Sequence, residues 1–304
     1  MILVTGASGL IGYHLCKRLI KEGNEVVGLI HNRINPSLHL LLDCKNFNII
    51  RGDIRRRKTF ANIFSKYDIE TVFHTAAQLP YTANKDLFGV NIKGTINALD
   101  FAYENKVEEF IYASSMGVYS DPPSYLPVDE NHHIIPSTEY GVTKLTGELL
   151  CRIYSESIKM TILRYAGIYG SSSEKNRAVN NFIRCALENK PLEIDGDGLQ
   201  SSDFVYVDDI IQGTCLAREK TGTYNIGSGQ DTTLKELAEL IIELTNSKSE
   251  IVFNGKKISR PFRFFLDISK AKRDLNYSPC SLIEGLKSYI KQWESINGNY
   301  LSIS

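Results

Sequence analysis

An α/β fold with a doubly wound parallel sheet, covered by helices on both faces, is what this 304-residue chain predicts. Two observations carry that expectation. Over the first half, short apolar runs alternate with longer amphipathic ones, the rhythm of strand–helix–strand units. The first turn between such units is rich in glycine.

The elements follow in order. "MILVTG" reads as a strand and Leu10–Lys21 as a helix. "EVVGLI" and "NFNIIRGD" are strands. A short helix is expected over 59–66, then a strand at "ETVFHTAA" and a long helix over 86–105. "EEFIYASS" is a strand, 138–155 a helix and "KMTILRY" a strand. After Gly170 the rhythm changes. Helices are expected at "RAVNNFIRCALEN", "TLKELAELIIELTN" and "LIEGLKSYIKQWE". "FVYVDDIIQGTCLA" reads as a strand running into a helix, and "TYNIGSG" as a short strand with a loop. The expected division is residues 1–170 as one unit and 171–304 as a smaller α/β part, with some segments returning to the first. The final "NGNYLSIS" is expected to fray.

Composition narrows the function. Lys plus Arg equals Asp plus Glu, 35 each, so the formal net charge is zero. That balance argues against a nucleic-acid partner or a polybasic membrane protein. The basic run Arg55-Arg56-Arg57-Lys58 is expected to be a solvated loop and helix start. "MILVTGASG" lacks the basic and apolar regions of a secretory leader, and no apolar stretch of about 18 residues predicts a membrane span. The six cysteines form no Cys-x-x-Cys pair and read as reduced, mostly buried thiols of a cytoplasmic protein. No His/Cys spacing suits zinc, so no metal is expected. His132-His133 reads as a polar loop rather than a ligand pair.

"TGASGLIG" joins the first strand to the first helix. Gly6 permits a sharp turn. Gly9 lets the backbone approach a pyrophosphate, which the helix N-terminus attracts. Gly12 allows close packing. This context makes the turn, with Ser8, Leu10 and Ile11, a candidate dinucleotide site of Rossmann type; the alternative is a tight turn with no ligand. At the end of the second strand, His31, Asn32 and Arg33 stand where a carboxylate often binds the ribose of NAD. Arg33 could instead pair with a 2′-phosphate, which favours NADP over NAD. Asp53, followed by Ile54, could reach an adenine amino group.

In order along nearly the whole chain, "TGASGLIG", "VFHTAAQ", "NIKGTINALDFA", "FIYASSMGVYS", "YGVTKLTGE", "LRYAGIYG", "DFVYVDD", "YNIGSG" and "LDISKAKRDLNYSP" resemble landmarks of the extended short-chain dehydrogenase/reductase family. Within it they resemble the nucleotide-sugar (NAD-dependent) epimerase/dehydratase group. The resemblance implies a cofactor site that also includes Ala76, Ala77, Gln78 and Asn91, and a substrate region after residue 170. It implies that Ser115, Tyr140 and Lys144 are catalytic and that Tyr140 and Lys144 also face the cofactor. A tyrosine titrates near pH 10, about three units too high for a base at neutral pH. An ammonium one turn along the helix favours the phenolate, which could then exchange a proton with a sugar hydroxyl. Ser115 matches the hydroxyl that bonds the reacting oxygen; strand alternation turns Ser114 the other way. Without that resemblance, Tyr140–Lys144 would read as a surface pair on a capped helix. Tyr119, Arg164 and Asp203 are expected to be structural.

Three departures from the group's pattern sharpen the reading. Dehydratases carry an Asp-Glu pair after the catalytic hydroxyl; Met116 and Gly117 stand there and cannot move protons. Ser202 replaces an arginine that clamps the diphosphate in relatives, leaving Lys257, Arg260 or Arg263 for that task. The carboxylate after the second strand is absent. Asn176, with Asn180 and Asn181, fits a sugar contact or a helix cap equally. The expected function is therefore a nucleoside-diphosphate-sugar 4-epimerase. The alternatives are an NADPH-dependent keto-sugar reductase and a non-catalytic dinucleotide-binding protein, the last disfavoured because Ser115, Tyr140 and Lys144 are all present. The family and the two long helices also imply a homodimer.

Overall fold

The structure, a computed structural model, describes residues 1–32, 36–80, 86–171, 178–256 and 262–301, with backbone alone at 36, 37 and 296–301. Seven strands form the central sheet: β1 (Ile2–Thr5), β2 (Val26–Ile30), β3 (Phe47–Arg51), β4 (Thr71–His74), β5 (Glu109–Ser115), β6 (Lys159–Tyr165) and, from the C-terminal part, β11 (Gly222–Ile226). Their order is β11-β6-β5-β4-β1-β2-β3, and every pairing is parallel. Chain direction across the sheet reverses between β1 and β4. In such a sheet the crevice at the carboxyl ends of those two strands is where ligands bind.

Alternation along the strands builds two cores. Val4, Val26, Ile111 and Leu163 face one side, with α1 (Leu10–Lys21) and α6 (Val207–Leu216) packed on it. Leu3, Val27, Phe110 and Ile162 face the other, under α2 (Arg57–Phe64), α3 (Gly94–Glu104) and α4 (Glu139–Tyr154). Strands buried on both faces read as continuous apolar runs because neither side meets water.

Around this sheet the remaining strands are short. They are β7 (Gly167–Tyr169), β8 (Leu192–Ile194), β9 (Ser201–Ser202), β10 (Phe204–Tyr206), β12 (Thr232–Thr233), β13 (Ile251–Phe253) and β14 (Arg263–Phe264). With them are α5 (Ala178–Leu187), α7 (Leu234–Leu244), α8 (Ser269–Leu275) and α9 (Leu282–Leu301). Each of these strands has two or three residues, too few for a period-two signal in sequence. Asp203 ties them together. Its buried carboxylate accepts from Ser228 N (2.7 Å), Ser228 Oγ (2.6 Å), Gly229 N (3.1 Å) and Leu266 N (3.3 Å).

Several expectations need correction or refinement. The helix expected over 86–105 contains a π-helical segment, Gly89–Lys93, before α3 begins. The short helix starts two residues earlier than expected, at Arg57. The basic run is a solvated loop and helix start, as expected, and two of its members make ion pairs at the surface: Arg55 to Asp53 and Asp86 (both 2.6 Å), and Arg57 to Asp100 (2.6 Å) and Glu104 (2.9 Å). His132 and His133 lie in a loop, as expected, but His132 is buried there, and its Nε2 accepts from Ser124 N at 2.9 Å. The last helix runs to Leu301, and the rest of the segment expected to fray, 302–304, lies outside the described residues. Among the described residues no helix is long and apolar enough to cross a membrane.

Candidate active site

The site begins where β1 ends. Gly6 has φ +72°, and a Cβ there would lie 2.7 Å from Ala76 Cα, so only glycine lets the turn meet the exit of β4. A Cβ at Gly12 would lie 2.2 Å from the Gly6 carbonyl oxygen. Gly9 caps α1 with extended backbone, is exposed, and no side chain caps the helix. The first-turn N–H groups of Leu10, Ile11 and Gly12 therefore have no intrahelical acceptor and suit an anion. Ser8 is half-buried beside them. An uncapped helix start, pressed against Ala76 at the strand-order reversal, fits the pyrophosphate of a dinucleotide.

Around this turn the other candidates divide. Ala76, Ala77 and Gln78 are half-buried as the chain leaves β4. Asn91 is buried and its amide is engaged inside the protein: Oδ1 accepts from Gln78 N (2.7 Å), and Nδ2 donates to Gln78 O (3.1 Å) and Thr143 Oγ1 (3.0 Å). It holds the β4 exit in place. His31 and Asn32 are exposed at the end of β2, and Arg33 lies outside the described residues. Asp53 is bound by Arg55, whose hydrogen bonds hold its carboxyl below the usual range; His31 Nε2 stands 3.8 Å away. Ile54 is buried beneath Gly94.

Tyr140 and Lys144 come from the first two turns of α4. Thr138 starts that helix by accepting from Gly141 N at 3.1 Å. Tyr140 is half-buried, but Lys144 is only 3 % exposed, which a surface pair could not be. The Lys144 Nζ donates to Ala113 O at 2.7 Å and lies 5.0 Å from the Tyr112 ring centre and 5.8 Å from that of Tyr140. Burial pulls the Lys144 pKa down to about 8. Ser115 ends β5 and accepts from Gly117 N at 3.1 Å, so its own proton can be offered outward. A Cβ at Gly141 would lie 2.2 Å from Gly117 O. That glycine lets the start of α4 rest on the turn after Ser115.

Beneath the site lies a buried ion pair that sequence reading overlooked. Glu148, one turn past Lys144, takes Arg164 Nε and Nη2 at 2.9 and 2.7 Å and the Ser114 hydroxyl at 2.6 Å. Arg164 Nη1 donates to Tyr119 Oη at 3.0 Å, and Tyr119 donates to Asn225 Oδ1 at 2.6 Å. The i+4 spacing of Lys144 and Glu148 was the available signal. Of the substrate candidates, Arg263 pairs with Asp231 at 2.6 Å, while Asn176, Lys257 and Arg260 lie outside the described residues. Asn180 and Asn181 lie inside α5 rather than capping it. They accept from Tyr289 Oη (3.0 Å) and Arg184 Nη2 (2.7 Å). Ser202 sits in β9.

A Rossmann-type sheet with a glycine turn at its switch point and a buried lysine one turn from a tyrosine defines a dinucleotide-binding protein of the short-chain dehydrogenase/reductase class. Residues 2–227 match the NAD dependent epimerase/dehydratase family, and the chain belongs to it. It is 31 % identical over 318 residues to UDP-glucuronate 4-epimerase of Thermodesulfobacterium geofontis, covering 97 % of this chain and 96 % of that protein. A solved UDP-glucose 4-epimerase of Thermotoga maritima, with UDP-glucose, superposes with a TM-score of 0.86 at 30 % identity, covering 97 % of this chain and 99 % of the other. UDP-glucuronic acid 4-epimerase of Bacillus cereus, solved with UDP-glucuronic acid and NAD, gives 0.83 at 34 % identity, covering 96 % and 99 %.

The Lys144 pKa carries a stability consequence. A lysine depressed from 10.5 to about 8 on folding leaves the unfolded chain holding more protons in that interval, so its penalty is full below pH 8 and relieved as pH rises toward 10.5. Relative to Lys144→Met, the dinucleotide-free protein should gain on the order of 3 kcal/mol of unfolding free energy between pH 7 and pH 10. Denaturant titrations across that range measure it; a constant gap would contradict the buried ammonium.

Proposed function

We propose that the protein is a nucleoside-diphosphate-sugar 4-epimerase. The observation that carries this reading is the convergence, at the carboxyl ends of β1, β4 and β5, of an uncapped glycine turn, the Ser115 hydroxyl and the Tyr140–Lys144 pair. Gly6, Ser8, Gly9, Leu10, Ile11 and Gly12 would hold the pyrophosphate, with Ala76, Ala77 and Gln78 along the remainder. Asp53 and Ile54 would border the adenine end, and Tyr140 and Lys144 would reach the nicotinamide ribose. A bound dinucleotide would supply reversible hydride transfer at the sugar carbon. Tyr140 takes the proton of the same carbon's hydroxyl and returns it. Lys144 stabilises the negative charge that passes through the Tyr140 oxygen, and Ser115 donates to the reacting oxygen. Met116 and Gly117 offer no carboxylate to divert the keto-sugar into elimination. Arg263, Lys257 and Arg260 would grip the diphosphate, with Asn176 toward the sugar. The 4-epimerases named above support this choice of reaction.

A second reading, reduction of a keto-sugar by NADPH, is favoured by one observation: no carboxylate stands at His31–Asn32, and Asp53 is already engaged by Arg55. The same observation favours NADP over the NAD found in the Bacillus cereus complex. Six free cysteines suit a reducing cytoplasm. α4 supports a homodimer. It buries small and polar residues (Gly141, Thr143, Lys144, Gly147, Glu148) yet exposes Val142, Leu149 and Ile153, the last at 73 %. With Tyr103 exposed on the adjacent α3, this inverted pattern suits a partner copy pairing α3 and α4 as a four-helix bundle.

Three measurements test the reading. With a panel of nucleotide sugars, the active substrate should give its 4-epimer with no net change at 340 nm, and Tyr140→Phe should cut turnover roughly a hundredfold or more. Stoichiometric loss of NADPH would make the enzyme a reductase. In calorimetric titrations NADP(H) should bind more tightly than NAD(H); tighter NAD(H) binding, unchanged in Arg33→Ala, sinks that preference. Light scattering at micromolar concentration should give a dimer mass for the wild type and a monomer mass for Ile153→Glu. A monomeric wild type removes the bundle.

A further inference from the structure

His74 is fully buried at the end of β4 and plays no part in the chemistry proposed above. Its two ring nitrogens meet two threonines: Nδ1 lies 3.0 Å from Thr5 Oγ1, and Nε2 lies 3.1 Å from Thr95 Oγ1. Proton counting fixes the direction of both bonds. The single hydroxyl proton of Thr95 goes to Asn91 O at 2.6 Å, so Thr95 can only accept from His74. His74 therefore carries its proton on Nε2, and its bare Nδ1 accepts the Thr5 hydroxyl. Thr5 Oγ1 in turn accepts from Ala76 N at 3.2 Å. Beyond Asn91, its Nδ2 donates to Thr143 Oγ1 (3.0 Å), which donates to Tyr140 O (2.8 Å).

These links form one oriented chain: Ala76, Thr5, His74, Thr95, Asn91, Thr143, Tyr140. Every side chain within it is nine-tenths or more buried. One end is the segment that Gly6 presses against; the other is the backbone of Tyr140. We propose that His74, held as its neutral Nε2–H tautomer, is a positioning residue that couples the dinucleotide turn to the Tyr140 helix. Only a neutral imidazole accepts at one end of a rigid ring and donates at the other. A protonated ring would donate at both ends, reverse the Thr5 bond so that the Thr5 proton loses its acceptor, and add a second cation near Lys144. Burial and the Lys144 charge both oppose it, holding the His74 pKa at about 3. The π-helical segment contributes by presenting both the Asn91 carbonyl and its amide to the chain.

This inference rests on the dinucleotide-binding part of the functional reading, and its test separates the two. Nitrogen-15 spectra of imidazole-labelled protein should show His74 as the neutral Nε2–H form from pH 5.5 to 9. An imidazolium or an Nδ1–H form would overturn the inference whatever the protein binds. Thr5→Val and Thr95→Val, on opposite sides of His74, should each weaken binding of the preferred dinucleotide by roughly fivefold to tenfold. The double variant should lose no more than the weaker-binding single variant, because either cut opens the same chain. The conservative His74→Gln, which keeps the donor toward Thr95, should bind better than His74→Phe. Multiplied losses in the double variant, or equal binding by the two His74 variants, would reduce His74 to packing. A wild type that binds neither NAD nor NADP would instead defeat the functional reading, and the tautomer spectrum would still judge His74.

Discussion

The burial of the Lys144 ammonium constrains everything around it. A charge removed from water needs compensation, and α4 is built to supply it. The Ala113 carbonyl accepts its proton, two aromatic rings flank it, and Glu148 lies one turn further along the same face. That face must therefore be polar and must also approach β5 closely. Glycines 141 and 147 allow the approach: a Cβ at Gly147 would lie 2.0 Å from the Tyr112 hydroxyl. The same approach rests the start of α4 on the turn after Ser115.

Glu148 in turn creates its own demand. A fully buried carboxylate is tolerable only if saturated, and Arg164 with Ser114 saturates it. Through Tyr119 and Asn225 the network crosses β6 to β11, which returns from the C-terminal part. The strand that carries Ser114 and Ser115 is thereby locked on both faces, one serine bound to the helix and the other offered to the site. Pre-organisation of this kind is what the proposed roles of the hydroxyl, phenol and ammonium would require. It also leaves Val142, Leu149 and Ile153 of α4 exposed while its polar face is buried.

Much of the site was legible because its constraints are local. A turn that needs φ above zero and a close backbone approach demands glycine, so "TGASGLIG" announces itself. Tyr140 and Lys144 are one helical turn apart by spacing alone. Ser115 follows Ser114 on a strand, so alternation separates their roles. The short strands after residue 170 were not legible, because two or three residues carry no period. Nor were the π-helical segment within 86–105 and the pairing of Arg55, which depends on Asp86 more than thirty residues away.

The sequence by itself determined the alternating α/β order and the glycine turn, since both follow from backbone sterics and periodicity, and the order of its motifs along the chain marked the family and, through it, the candidate residues Ser115, Tyr140 and Lys144. Only the tertiary structure decided that Lys144 is buried rather than a surface partner, that His132 is internal, and that Glu148 and Asn91 serve the protein's interior. It alone joined Thr5 to His74 across 69 residues and His74 to Thr95 across 21. Burial and hydrogen-bond direction are properties of neighbours brought together by folding, and no spacing along the chain encodes them.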